Sequence, residues 1–281
     1  MMEAAVISAE DFQRFREYFY RRSGIQFDTS KRYFVDKRLA ERIRATGSAG
    51  FRDYFAMLRF QASGAEWQAL VNDMTVNETY FMREEYQFSC LVESILPEIA
   101  ARKRPGEPLR IWVMPSSSGE EAYTVAMFLL ERWPDLANRD VEIVSSDIDT
   151  RILAQAQAGL YSQRAVHQLP AAWLQKYFTR EAGGWRICRM LRDAVAFTRV
   201  NLNDAAEVAA YRGYDVVFCR NLLIYFDDAS RRQAAESFFD VLSPGGFICL
   251  GHSESMSRIS SLFRIRKFPE AIVYQKPLEG R

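Results

Sequence analysis

The chain has 281 residues, enough for one or two domains with a substantial buried core. Lys and Arg number 37 against 36 Asp and Glu, and a formal net charge of +1 excludes a whole-protein electrostatic grip on nucleic acid. No apolar run approaches the ~20 residues of a membrane span, Met1 to Glu10 lacks the basic and apolar stretches of a secretory signal, and four scattered cysteines with two histidines suggest neither disulfides nor a metal site.

The first hundred residues read as helix. Asp11 to Tyr20 places Phe12, Phe15, Tyr18 and Phe19 on one stripe, and Ser23-Gly24 ends it. Lys31 to Ala45 repeats Val35, Leu39 and Ile43 at every fourth position. Phe51 to Leu58, Glu66 to Val71 and the longer Glu85 to Ala101 follow. Arg102 to Pro108 is polar and rich in breakers, a surface connection. Beyond it, strands at Leu109 to Met114, Val141 to Ser146, Tyr214 to Cys219 and Phe247 to Gly251 alternate with helices at Glu120 to Trp133, Thr150 to Ala158 and Ser230 to Leu242. That alternation predicts an α/β domain with a parallel sheet covered on both faces. Between Gly159 and Val200 it fails, and Trp185 to Ile187 and Ala194 to Val200 read as strands of a small antiparallel insertion. The predicted organisation is a helical domain over 1–84, a linker helix and loop over 85–108, and an α/β domain over 109–281 with the insertion at about 160–198.

In such sheets ligands bind beyond the carboxyl ends of the strands. After the first strand, Pro115-Ser-Ser-Ser-Gly-Glu-Glu121 is small-residue rich but lacks the glycine pattern of a pyrophosphate cradle. Its two acids suit a cationic ligand, or they merely complement a helix dipole behind a Ser118 cap. After the second strand, Asp147 stands where an acid hydrogen-bonds ribose hydroxyls, and Asp149 reads equally well as a helix cap. Asn221 ends the Tyr214 to Cys219 strand. Asn77 to Glu84 combines amide, hydroxyl and guanidinium groups with Tyr80 and Phe81.

The ordered segments NETYFMRE, SSGEEAY, SSDIDT, VNL, FCRNLLIYF, PGG and GHSE resemble the chemotaxis receptor methyltransferases of the CheR type. The resemblance implies a Rossmann-like class I methyltransferase domain, with the small antiparallel insertion, behind an all-α N-terminal domain. It implies S-adenosylmethionine as cofactor, S-adenosylhomocysteine as product and glutamate side chains of chemoreceptors as substrate. Carried over motif by motif, it gives Asn77, Thr79, Arg83, Glu120, Asp147, Asn201, Leu202, Asn221 and Leu222 as cofactor contacts. Arg83 and Tyr225 would lie nearest the transferred methyl group. The partner would be the cytoplasmic helical domain of a receptor, met by Lys31, Lys37, Arg38, Arg42 and Arg44 on the basic helix. A cytoplasmic monomer that inserts in no membrane and binds no nucleic acid is expected. Two features differ from the usual pattern: Met114-Pro115-Ser116 replaces smaller residues in the cofactor turn, and Ala122 stands where Pro is common. Because Pro115 donates no backbone hydrogen bond, a non-catalytic adaptor binding receptor or S-adenosylhomocysteine is the alternative; a methyltransferase of nucleic acid or small molecules is a third reading. The short Thr179 to Gly184 connection predicts that a receptor C-terminal pentapeptide, captured as an added strand in some relatives, is not required.

Overall fold

The computed structural model describes residues 7–104 and 106–278. The expectation of no leader at Met1 to Val6, and Pro105 of the surface connection, lie outside these residues.

Four helices, α1 (Ala9–Ser23), α2 (Arg32–Thr46), α3 (Phe51–Phe60) and α4 (Ala65–Met74), form the N-terminal part. The predicted stripes close on one core: Phe12, Phe15 and Phe19 meet Val35, Leu39, Tyr54, Leu58, Trp67 and Leu70. Ser8 caps α1 by accepting from the Asp11 amide, and Gly24 ends it with a left-handed φ of 72° that a side chain would strain.

The long helix predicted for Glu85 to Ala101 is continuous but changes pitch: α5 (Glu85–Cys90), a π-turn over Leu91–Ile95, then α6 (Leu96–Ala100). It is no free linker, because Phe88, Leu91, Ile95 and Leu96 are buried in the same core as the sheet. The chain then alternates through β1 (Leu109–Val113), α7 (Glu120–Arg132), β2 (Val141–Asp147), α8 (Thr150–Ala158), β3 (Leu160–Tyr161), α9 (Ala171–Tyr177), β4 (Phe178–Glu181), β5 (Gly184–Ile187), α10 (Arg189–Asp193), β6 (Val195–Arg199), α11 (Ala205–Val208), β7 (Tyr214–Cys219), α12 (Asp228–Val241), β8 (Leu242–Leu250), β9 (Arg264–Lys267) and β10 (Ile272–Gln275).

The main sheet has the order β6-β2-β1-β7-β8-β10-β9. Five strands are parallel, and β10 and β9 close one side as an antiparallel hairpin. Both faces are covered, by two separate apolar clusters, as the continuous apolar runs require. Two expectations are corrected. Val195–Arg199 does not belong to the insertion: it pairs in parallel with β2, Ile143 opposite Val195 through Asp147 opposite Arg199. Local alternation marks a strand but not its partner. The antiparallel insertion is therefore the sheet β3-β5-β4, which ends before Val195. The strand predicted to begin at Phe247 begins at Leu242, so the Pro244-Gly245-Gly246 segment is absorbed into β8, where a register shift opposite Tyr214 and Val216 accommodates it.

Candidate active site

From β1 the chain steps to β2 on one side and later to β7 on the other, so the carboxyl ends of β1, β2 and β7 open a crevice at a topological switch point. The helical domain roofs it. Ile25 bridges to Phe226, the Gln26 amide donates to the Tyr225 carbonyl at 3.1 Å, and Tyr20 donates to Asp227 at 2.9 Å. The cleft has a volume of about 370 Å³. Asn77, Thr79, Arg83, Asp147, Asn201, Leu202, Asn221, Leu222 and Tyr225, expected from separate parts of the chain, all line it.

Asp147 ends β2 and is 3% exposed. Its Oδ2 accepts from the Ser117 amide at 2.8 Å and its Oδ1 from the Asp149 amide at 3.0 Å. Burial pushes its pKa up to about 6 against the pull of these amides, with the Asp149 charge adding to the rise. It is thus an ionised, desolvated acceptor at neutral pH. Beside it, the hydroxyls of Ser116 and Ser117 are buried at the cleft without a partner. Buried polar groups are paired as a rule, so orphans on a cleft wall mark a place where a ligand completes the bonding. The turn also answers the question raised by Pro115. The Ser116 amide is committed to Ser146 O and the Ser117 amide to Asp147, so the turn presents hydroxyls rather than N–H groups.

Asn221 follows β7 with a φ of 57°, left-handed and unusual outside glycine. The Glu254 carboxylate holds it there, accepting from the amides of Asn221 and Leu223 at 2.8 Å and of Gly251 at 2.9 Å. Gly251 must lack a side chain: a Cβ there would stand 2.9 Å from Asn221 Nδ2.

Residues 75–84 form a strap between α4 and α5 along the cleft. Arg83 donates from Nη1 to Glu78 O at 3.1 Å and faces the same cleft as Tyr225, whose phenol burial raises and the Arg83 charge lowers. At the strap's far end Arg220, 1% exposed at its side chain, pairs with Glu121 at 2.9 Å and Glu84 at 3.3 Å and donates to Arg83 O. Burial raises the Glu84 carboxyl, but Arg220 and His252 overcome it and leave Glu84 below its ordinary value.

Glu120 requires correction. It is buried beneath the cleft wall rather than on it, its carboxylate accepts from the Ser118 hydroxyl at 2.7 Å, and Glu121 lines the cleft instead. Ser118 does not cap α7; Gly119 occupies that position with φ 91°. Asn201 reaches the cleft, but its Nδ2 donates to Arg22 O and its Oδ1 accepts from the Asn203 amide, so its side chain docks the helical domain. The basic helix is divided. Arg42 is locked in a two-pronged pair with buried Glu66, at 2.6 and 2.9 Å, and Arg38 donates to Asp73 O and stacks on Phe34 at 3.6 Å. Only Lys31, Lys37 and Arg44 of the expected docking cations are exposed. Arg220, Glu121, Glu254 and Asp149 were not selected as site residues from the sequence. The GHSE and SSDIDT segments contain two of them, and their apolar neighbours signalled only strand ends.

The arrangement fits S-adenosylmethionine. Asp147 offers a charged acceptor for a ribose diol, Leu202 and Leu222 offer apolar walls for a purine, and Ser116 and Ser117 offer unused hydroxyls. Among the described residues no cluster of His, Cys, Asp and Glu could hold a metal, and no helix is long and apolar enough to cross a membrane.

Residues 77–272 match the family model of the CheR methyltransferase SAM binding domain, and residues 10–75 that of the CheR methyltransferase all-alpha domain. The chain is 55% identical over 281 residues to the chemotaxis protein methyltransferase 2 of Vibrio cholerae, covering 100% of this chain and 97% of the relative. It is 36% identical to the chemotaxis protein methyltransferase 2 of Pseudomonas aeruginosa, over 91% of this chain and 90% of the relative. It is 34% identical to the chemotaxis protein methyltransferase of Escherichia coli, over 95% and 91%. With both matched segments meeting at the strap that edges the cleft, the chain belongs to the CheR family of S-adenosylmethionine-dependent methyltransferases.

Proposed function

We propose that the protein transfers the methyl group of S-adenosylmethionine to glutamate carboxylates on the cytoplasmic helical domains of chemoreceptors, forming methyl esters. The observation that carries this reading is the pair of cations on the cleft wall, Lys31 from the helical domain and Arg83 from the strap, which suit an acidic substrate. The names of the relatives support chemotaxis as the setting, and the site is assigned to the cytoplasm because the receptor domain lies there.

The bound cofactor supplies a methyl group activated by its sulfonium. Asp147 holds the ribose, Leu202 and Leu222 frame the adenine, and Asn221, fixed by Glu254, borders the methionine end. Asn77 and Thr79 contact the cofactor from the strap. A glutamate nucleophile has a pKa near ~4.3 and is already ionised, so no general base is required. Arg83 and Tyr225 orient the incoming carboxylate, and the roofed cleft strips water from it. Arg83 shares its guanidinium with Glu78 O, which moderates a contact that would otherwise blunt the nucleophile. Residues 1–84 dock the receptor through Lys31, Lys37 and Arg44, and the chain acts as a monomer. The β4–β5 hairpin turns through Ala182-Gly183 alone, with Glu181 paired to Gly184, so little loop is present to close over an added receptor strand, and a C-terminal pentapeptide is not needed.

Incubation with methyl-labelled cofactor and receptor-rich membranes tests the reading. Label released by alkali as volatile methanol supports it. Binding of receptor without incorporation would favour the adaptor alternative, and label in nucleic acid would favour the third reading.

A further inference from the structure

The SSDIDT segment carries two acids, and only Asp147 lines the cleft. Asp149 is 1% exposed and caps α8, its Oδ1 accepting from the amides of Arg151 at 2.9 Å and Ile152 at 3.0 Å. A cap needs one oxygen, and Ser, Thr or Asn would serve as well. The second oxygen is what only a carboxylate supplies here: Oδ2 accepts from the Thr75 hydroxyl at 2.7 Å and from Asn77 Nδ2 at 2.9 Å. Both donors begin the strap that carries Asn77, Thr79 and Arg83 along the cleft.

The neighbours of Asp149 bind the same region. Gln68 donates to Ile148 O at 2.8 Å, Asn72 exchanges hydrogen bonds with Thr150, and Arg151 pairs with Asp73 at 2.8 Å. The last turns of α4 and the start of the strap are therefore keyed to the β2–α8 turn, the same turn that presents Asp147 to the cleft.

We propose that Asp149 is a positioning residue for cofactor binding: its outer oxygen fixes Asn77 and Thr75, and so sets the strap over the cleft at the distance the cofactor requires. A charged acceptor with four donors is rigid, and a strap held at its first residues spares the cofactor the entropy of ordering it. The inference rests on the assignment of the cleft to S-adenosylmethionine, which methyl incorporation by the wild-type protein tests separately.

The test is calorimetric titration of the full chain with S-adenosylhomocysteine. Asp149→Asn keeps an oxygen for the cap and turns an amide toward Asn77, donor against donor. Affinity is expected to fall at least about tenfold, the loss of one hydrogen bond to a charged group. Asp149→Ser keeps one oxygen for the cap and offers none to the strap, so thermal unfolding is expected near wild type while affinity falls as in Asp149→Asn. Thr75→Val, which leaves the cap untouched, should weaken binding by a few-fold and keeps the inference testable where the acid variants fold poorly. Wild-type affinity in Asp149→Asn, in Asp149→Ser or in Thr75→Val would overturn it; a helix cap alone gives no reason for a loss in Thr75→Val.

Discussion

Replacing Asp147 by asparagine keeps the size of the β2 terminus, removes one charge and turns an amide toward the Ser117 N–H, which donates to Oδ2 at 2.8 Å in the wild type. The Asp149 amide, 3.0 Å from Oδ1, keeps an acceptor. Burial pushes the carboxyl up to about 6, so near pH 7.5 the ionised form of the wild-type group predominates. A hydrogen bond to a charged acceptor contributes about 1.5–3 kcal/mol, and one to a neutral acceptor about 0.5–1.5 kcal/mol. Two ribose hydroxyls that lose the charge together lose about 2–3 kcal/mol, or roughly 30- to 150-fold in Kd. The measurement is calorimetric titration with S-adenosylhomocysteine near pH 7.5, with the fold of the variant checked by thermal unfolding. A Kd within about twofold of wild type in a folded variant would remove Asp147 from the site and refute the assignment of the β2 end to the ribose.

The same carboxyl sets a pH dependence. A diol bound to the ionised form favours that form, so affinity for S-adenosylhomocysteine is expected to be level above about pH 7 and to fall by up to about tenfold per unit below the pKa of about 6; a flat profile across this range contradicts the charged contact. Arg42→Met strands Glu66 in the helical core beside Tyr54, where its hydroxyl donates at 2.9 Å, and is expected to cost about 3–5 kcal/mol in denaturant unfolding, as for a broken buried pair. A loss below 1 kcal/mol would return Arg42 to the free surface charges. Reversing Lys37 and Arg44 to Glu is expected to slow receptor methylation at low salt while leaving the Kd for S-adenosylhomocysteine unchanged, since exposed charges steer a partner and are screened beyond ~8 Å at physiological ionic strength. Equal rates for variant and wild type would make this face merely solvated.

Where a residue's environment follows from its own strand or helix, the sequence was enough. Tyr214 to Cys219 is buried on both faces and is a central strand; Asp147 and Asn221 end strands at the switch point and reach the cleft. Where the environment depends on a distant partner, it was not. Glu120 and Glu121 are adjacent at a helix start, and it takes the distant Arg220, which pairs with Glu121 while Glu120 accepts from Ser118, to show which of them faces the cleft. Val35, Leu39 and Ile43 mark one face of α2, but α4 also covers its flank, and that contact takes Arg42 out of solvent. Val195–Arg199 alternates as an edge strand of the insertion would, yet it is β2 that pairs with it. Asp149 was visible as a cap, and its second role needed the strap beside it.

The most direct test of the whole account is mass spectrometry of a purified receptor cytoplasmic domain after incubation with the protein and S-adenosylmethionine. The expected result is one added methylene on particular glutamate side chains, lost on mild alkali and absent with the Asp147→Asn variant at limiting cofactor. Methylation stable to alkali, on lysine, on nucleic acid or nowhere, by protein that binds S-adenosylhomocysteine normally, would contradict it.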